Sequence, residues 1–483
     1  MTDRRILVAS NRGPVRFFDE EGKLVARRGP GGLVTALAPV VQETSGLWVA
    51  SAMDEADRRK ASEGRGGRIE VRVDDARYRL RLLSPDPEAF DRYYNQVSNR
   101  LLWFLHHYLW DLPRMPSLSE ADRASWDAYR QVNEDFADAL AEEAGDGGAD
   151  ALLQDYHLSL VPEMLRKRAP ATRIAHFHHV PFAAADYLRL LPREVREELL
   201  TGLLGADLLG FHTERWAENF LGACRLLQGA DVLWRRRAVR WQDRLVRVGV
   251  YPIAIDAAQL RASAASPSVR RRHRAIRARH GDRALLLRVD RVDLSKNILR
   301  GFQAYELFLR SHRRWRGRVV FLALLQPSRG GVPEYRAYGA ECRGAADRIN
   351  ARFGTPGWTP VDIRIADDFD SVVAAYGLYD ALLVNPVFDG MNLVAKEGPL
   401  LNRAGGALIL SRTAGAHAEL GGAAIGIDPV DVAGTADAIA AAVEMPPEER
   451  SARAAQLRRI AGSRTPKQWA GRQLRDLDRA TAR

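Results

Sequence analysis

Two polar loops, each opening straight after an apolar run, hold most of the residues that could do chemistry. One reads Arg288-Val-Asp290-Arg291-Val-Asp293-Leu-Ser295-Lys296-Asn297. The other reads Asn385-Pro-Val-Phe-Asp389-Gly390-Met391-Asn392-Leu393-Val394-Ala395-Lys396-Glu397. The chain has six lysines among 72 Lys+Arg, and Lys296 and Lys396 fall inside these loops. Chance surface placement explains that coincidence as well as function does, so the neighbouring residues must carry the argument. Arg291 and Lys296, five apart, could stabilise the charge growing on a departing diphosphate, a task metal ions perform elsewhere. Asp293 is a competing ion-pair partner. In the second loop an acid, a Gly and an Asn precede a helical pattern. The N–H groups of a helix start favour anions and polar hydroxyls. Glu397 could hold a ribose diol, or merely complement the helix dipole.

The N-terminal half adds further candidates. Arg12 follows the apolar run Ile6–Ala9, and its guanidinium could grip a phosphate with a fork of donors. Gly31 and Gly32 allow close backbone approach at a helix start, although a plain turn fits equally well. Neither a dinucleotide fingerprint nor a Walker A motif is present. Tyr93-Tyr94-Asn95-Gln96-Val97-Ser98-Asn99 with Trp103 combines aromatic faces and amides, as carbohydrate sites do and as ordinary cores also do. His176, His178 and His179 end a strand-like run. Alternation sends His178 and His179 to opposite faces, and no H-E-x-x-H pattern accompanies them. One histidine in a hydrogen-bonding or acid–base role is favoured over a metal site.

These loops need parallel strands to position them. Short apolar runs alternate with helical patterns throughout: Ala151–Gln154 before Asp155, Arg173–His179, Leu203–Phe211 and Val246–Ile255. The series restarts with Leu285–Arg288, Val319–Leu325, Ala381–Val384 and Ala407–Leu410. Helices are expected at Leu33–Val41, Ile298–Leu309, Ser371–Tyr379, Met391–Leu401 and Thr435–Val443. The pattern predicts α/β domains whose ligands bind at the carboxyl ends of parallel strands. It runs twice across 483 residues, with the join near residues 253–283. The expected division is residues 1–255 and 256–483. Two cysteines, Cys224 and Cys342, argue against a disulfide framework. No run reaches membrane-spanning length and no signal segment stands out, so a cytoplasmic protein with no membrane partner is expected. The net charge is +11. Its densest cluster, Arg270–Arg274 with Arg277 and Arg279, lacks interleaved aromatics and reads as a solvated helix face. A small anionic substrate suits that charge better than nucleic acid.

Taken together, the motifs resemble the trehalose-6-phosphate synthases, the retaining glycosyltransferases of family 20. The resemblance runs from Val8-Ala-Ser-Asn-Arg12 to about Pro429. It includes Tyr94–Asn99 with Trp103, Gln154-Asp155-Tyr156-His157, His179-Val-Pro-Phe182 and Val248–Asp256. Arg291–Lys296, Gly357–Pro360 and Asp389–Glu397 complete it. It implies a GT-B fold, two Rossmann-like doubly wound domains facing across a cleft. The first would bind the acceptor and the second the nucleotide-sugar, with the last helix, around Trp469, crossing back to the first. Carried over by position, Arg12 and Arg329 would bind the acceptor phosphate, and Tyr94, Trp103 and Asp155 would shape the acceptor pocket. His179 and Asp389 would orient the donor glucose. Arg291 and Lys296 would bind the diphosphate. Gly32, Gly390, Met391, Asn392, Leu393, Val394 and Glu397 would complete the donor site. No metal, cofactor or covalent nucleophile is implied. The implied substrates are a nucleotide-glucose and glucose 6-phosphate, and a homo-oligomer is left open.

The chain departs from the common family pattern at several points. Ser51 stands where many members carry a tryptophan. Asn297 replaces the glycine after the lysine, and Asn385-Pro-Val-Phe replaces Thr-Pro-Leu. These variants resemble an actinobacterial branch with GDP-glucose users, so the donor reading leans to GDP over UDP. The alternatives are a same-fold transferase or pseudo-glycosyltransferase using glycerol 3-phosphate or a cyclitol phosphate, and a catalytically idle regulatory subunit.

Overall fold

The computed structural model describes residues 4–29, 32–73 and 76–482. Gly31, expected to approach a ligand, lies outside the described residues. The chain divides into two compact units, Met1–Ile253 with Pro466–Arg483, and Ala254–Thr465.

The first unit holds strands β1 (Ile6–Arg12), β2 (Val15–Glu20), β3 (Lys23–Arg28), β4 (Leu47–Ser51), β5 (Arg68–Val73) and β6 (Ala76–Leu83). It continues with β7 (Asp150–Gln154), β8 (Arg173–Phe177), β9 (Leu208–Phe211), β10 (Asp231–Leu233), β11 (Ala238–Trp241) and β12 (Arg244–Val250). Ten of these form one sheet in the order β10-β11-β12-β9-β8-β7-β1-β4-β6-β5, and β2 and β3 pair separately as a hairpin. The centre of the large sheet is parallel, whereas β5, β10 and β11 pair antiparallel. Strands β1, β4 and β7 are apolar and almost wholly buried, as strands covered on both faces must be. Strand order reverses at β1, with β4 on one side and β7 on the other. Such a switch point leaves a crevice at the carboxyl ends.

The second unit holds β13 (Ala284–Arg291), β14 (Val319–Gln326), β15 (Val361–Ile365), β16 (Ala381–Val384), β17 (Ala407–Ser411) and β18 (Ile425–Ile427). They form one wholly parallel sheet in the order β15-β14-β13-β16-β17-β18. This is the doubly wound dinucleotide-fold order, with its switch point between β13 and β16.

The final helix, Pro466–Thr481, packs on the first unit through its apolar side. Trp469 is buried there; its indole N–H donates to the Tyr251 carbonyl at 3.0 Å, and its ring lies 4.9 Å from that of Phe177. The Tyr251 hydroxyl in turn donates to Asp476 at 2.9 Å. Among the described residues no helix is long and apolar enough to cross a membrane.

The parallel strands fall where apolar runs predicted them, within a few residues. Three expectations need correction. Val246–Ile255 is strand only as far as Val250, and residues 251–256 are irregular. Arg173–His179 is strand only as far as Phe177, so His178 and His179 lie beyond β8. The helix expected from Met391 starts at Val394 instead. Asn392 has φ 77°, outside helical space, and its side-chain oxygen accepts from the Ala395 N–H at 3.2 Å. A left-handed residue that caps the following turn ends the loop rather than beginning the helix.

Candidate active site

In the second unit the loops after β13 and β16 meet at the switch point. Asp293 is wholly buried and organises the first loop. Its carboxylate accepts from the Ser295 N–H at 3.0 Å and hydroxyl at 2.8 Å, which caps the short turn carrying Lys296. It also holds two guanidiniums, Arg329 at 3.0 Å and Arg291 at 3.6 Å. Arg329 also donates to the Tyr335 hydroxyl at 2.5 Å. Arg291 keeps 40% of its side chain exposed, so a cation is presented to solvent while its neighbour is pinned. The structure thus groups Arg329 with Arg291 in the second unit, whereas Arg12 belongs to the first.

The Lys296 ammonium donates to Asp389 at 2.5 Å. Both side chains are mostly buried, and Asn392 donates to the same carboxylate oxygen at 3.1 Å. An ion pair this shielded is fixed in place by hydrogen bonding as well as charge. The loop around Asp389 is braced from behind. Its N–H points to the Thr413 carbonyl, the Gly415 N–H donates to the Asp389 carbonyl at 3.0 Å, and the Ala416 N–H donates to the Met391 carbonyl at 2.7 Å. Gly415 is required here: a Cβ at that position would lie 2.0 Å from the Gly390 carbonyl oxygen. Met391 is buried, while Leu393 and Val394 are half-buried at the helix start.

Glu397 sits on the first turn of its helix. Burial raises its pKa, and the Tyr376 hydroxyl, 3.2 Å away, opposes that shift. Its neighbour Lys396 points elsewhere, to Glu419 at 2.5 Å, and burial lowers its pKa. Lys396 therefore forms a buried ion pair with Glu419, while Lys296 joins the Asp389 cluster.

In the first unit Arg12 ends β1, while Asp155 and His179 follow β7 and β8, at the carboxyl ends of the strands by the other switch point. Arg12 is exposed; its guanidinium donates to the Tyr94 hydroxyl at 2.8 Å. Asp155 has φ 72°, and its carboxylate accepts from the His179 N–H at 3.1 Å. A non-glycine residue in that backbone region is strained and clusters at functional sites. The His179 ring meets the Gln154 side-chain oxygen at 3.0 Å through Nε2. Burial first, then the nearby His212 and His176, holds its pKa well below the ordinary histidine value. His179 is therefore a neutral hydrogen-bonding group near pH 7. His178 turns into a separate pocket of rings, 4.8 Å from His106 and 5.2 Å from Phe182. The two adjacent histidines have separate neighbours, although both lie beyond the end of β8 at Phe177 and not in a strand. Among the described residues no cluster of His, Cys, Asp or Glu could hold a metal ion.

The segment Arg92–Leu102 winds as a π helix, a wider turn frequent at functional sites. Tyr94 stacks against His157 at 6.0 Å, and Trp103 stacks on His107 at 3.9 Å. Trp103 is buried, with only 6% of its surface exposed. Ser51 is buried too, and donates to Asn11 at 3.3 Å beside the Tyr93 hydroxyl, which donates to the same oxygen at 3.1 Å. Gly32 opens the helix Gly32–Glu43.

Sequence reading assigned no role to Gln154, Tyr335 and Gly415 in these clusters, nor to Arg288 and Asn385, whose side chains hydrogen-bond each other between the two loops of the second unit. For Arg288 a signal existed, since a charged residue interrupts the apolar run of β13. Gly415 carried none, because its neighbour Gly390 lies 25 positions earlier in the chain.

The glycosyltransferase family 20 profile matches residues 4–479. The trehalose-6-phosphate synthase of Mycolicibacterium smegmatis is 37% identical over 477 residues, covering 96% of this chain and 90% of that protein. A solved trehalose-6-phosphate protein from E. coli, bound with UDP-2-fluoro glucose, superposes with a TM-score of 0.85 at 28% identity, covering 99% of each chain. A UDP-forming α,α-trehalose-phosphate synthase from Burkholderia xenovorans, in complex with glucose-6-phosphate, gives 0.84 at 28% identity, covering 98% of this chain and 100% of that one. The α/β class with two Rossmann-like units, GT-B, is the fold these likenesses share with the chain.

Proposed function

The chain belongs to glycosyltransferase family 20, and from that membership we propose that it makes α,α-trehalose 6-phosphate by moving glucose, with retention, from a nucleotide-glucose to glucose 6-phosphate. It is a hexosyltransferase. The observation that carries the reading is the Lys296–Asp389 pair at the switch point of the second unit, with Arg291 on the same Asp293-organised loop as Lys296.

Arg291 and Lys296 are the proposed diphosphate ligands. Fixed cations in a partly dry site stabilise developing negative charge with little reorganisation. Asp389, already held by Lys296 and Asn392, would accept from hydroxyls of the donor hexose. Amides and side chains from Gly390 to Val394 would line the same sugar and phosphate. Glu397 would accept from the ribose diol, a use consistent with a carboxylate whose burial Tyr376 offsets only in part. In the first unit Arg12 would grip the acceptor phosphate, with Tyr94, Trp103 and Asp155 shaping the sugar pocket. Neutral His179 would hydrogen-bond a glucose hydroxyl.

The C1–oxygen bond to the diphosphate breaks and a C1–oxygen bond to the acceptor's anomeric hydroxyl forms on the same face. The acceptor's proton passes to the leaving phosphate oxygen. On this path no side chain need act as covalent nucleophile.

The test incubates purified protein with GDP-, UDP- or ADP-glucose and glucose 6-phosphate, following nucleoside diphosphate release. Release that depends on glucose 6-phosphate supports the reading and identifies the base. Glycerol 3-phosphate in its place checks the acceptor. No release with any donor would overturn the reading.

A further inference from the structure

We propose that Arg288 is a positioning residue that locks the Lys296 loop to the Asp389 loop; the proposal rests on the donor-site reading above. Arg288 follows Leu285-Leu286-Leu287 within β13, where an apolar residue is expected, and its side chain is 0% exposed. A buried charge is costly unless geometry and hydrogen bonds compensate it closely. Here they do so by joining two loops. Nε donates to Asp290 at 3.0 Å. Nη2 donates to the backbone carbonyl of Lys296 at 2.6 Å and to the side-chain oxygen of Asn385 at 2.6 Å. One nitrogen therefore ties the residue bearing the ammonium to the residue opening the Asp389 loop.

A second link runs beside the first. The Asn297 side-chain amide donates to the Asn385 carbonyl at 3.0 Å, and the Asn385 amide donates back to the Asn297 carbonyl at 3.3 Å. Asn297 has φ 58°, a left-handed position that asparagine tolerates better than most residues. Its amide also donates to the Pro429 carbonyl at 2.6 Å. Asn297 and Asn385 are two of the positions at which the chain departs from the common family motifs. The structure gives both departures one physical account: they partner each other, and Arg288 holds Asn385 and the Lys296 carbonyl next to Asn297. Gly301 completes the set, because a Cβ there would lie 2.4 Å from Arg288 Nη1. That nitrogen is buried with no hydrogen-bond partner among the described residues, so its space depends on the missing side chain.

The consequence is kinetic. Lys296 and Asp389 act from opposite loops, so their alignment on donor phosphate and sugar depends on how the loops are held. Misplacement by about 1 Å can cost about 100-fold in rate. The Arg288 side chain is wholly buried and reaches the loops from behind, so its loss should appear in turnover rather than in acceptor binding.

The experiment compares Arg288→Met, Asn385→Ala, their double variant and Gly301→Ala with the parent protein. Melting curves establish that each variant folds. Kinetics give kcat and the KM for glucose 6-phosphate, and calorimetry gives binding of GDP and UDP. The expected result is a fall in kcat of about 10- to 100-fold for Arg288→Met, with acceptor KM within twofold of the parent. The double variant should be no slower than the worse single, because both break one linkage. Gly301→Ala keeps every charge and should lower kcat by crowding the guanidinium. It carries the test, with Asn385→Ala, if Arg288→Met does not fold. Folded variants with parental kcat, or losses that simply multiply, would overturn the clamp. A parent that binds neither nucleotide and releases none would overturn the donor-site reading instead.

Discussion

The ammonium of Lys296 lies 2.5 Å from the carboxylate of Asp389, although 93 positions separate the two residues in the chain. They follow β13 and β16, the adjacent strands at which order reverses in the second unit. The topology places them together, and Asn392 and the turn capped by Asp293 fix their orientation.

Lys296→Met should therefore remove a charge needed in the transition state while keeping the stem's packing. The expected loss is about 100- to 1,000-fold in kcat, with acceptor KM little changed. Steady-state kinetics with saturating donor check it. Unchanged turnover would remove Lys296 from the chemistry.

Arg12 makes its side-chain hydrogen bond to Tyr94 at the surface of the first unit. Arg12→Ala should raise the KM for glucose 6-phosphate about 10- to 100-fold, the scale of hydrogen bonds to a charged group. Its effect on kcat should be smaller. Comparing glucose with glucose 6-phosphate as acceptor sharpens the test, since the variant should lose most of its discrimination.

Gly415→Ala puts a methyl group against the Gly390 carbonyl, only 2.0 Å from it before relaxation. It should destabilise the protein by about 1–3 kcal/mol and lower kcat, because the Asp389 loop must move. Gly422→Ala, where nothing lies within 4 Å, is the control and should be near neutral. Urea titration and turnover measure both effects. A neutral Gly415→Ala would show that the brace is dispensable.

His106 and His176 are buried, and burial lowers the pKa of each to about 3. The folded values lie below the unfolded histidine value of about 6.5, so the unfolded chain takes up protons first as pH falls. The associated stability is present above about pH 6.5 and is lost progressively toward pH 3, at about 1.4 kcal/mol per pH unit for each group. Neither ring nitrogen of His176 has a hydrogen-bond partner among the described residues. His176→Leu should flatten the decline by one proton's worth. Urea unfolding from pH 7 to pH 4.5 measures the slopes, and equal slopes would contradict the assignment.

Strand positions were legible because apolar runs ending in Arg12, Asp155, Arg291 and Asp389 loops follow directly from burial on both sheet faces. The antiparallel strands β5, β10 and β11 near the sheet's two ends were not, since they mix charged and apolar residues. Lys296 and Asp389 could be proposed from their motifs, whereas Lys396 looked similar and proved to be tied to Glu419. Only tertiary packing separates those two lysines. Arg288 stood in the motif from the start, but its role depends on Asn385, a partner 97 positions away.

The most direct test of the central claim is the proton NMR spectrum of the product from α-configured nucleotide-glucose and glucose 6-phosphate. The account predicts a 1,1-linked disaccharide phosphate whose two anomeric protons both show α couplings, formed one for one with nucleoside diphosphate. A β-configured linkage, or nucleotide release with no disaccharide formed, would contradict it.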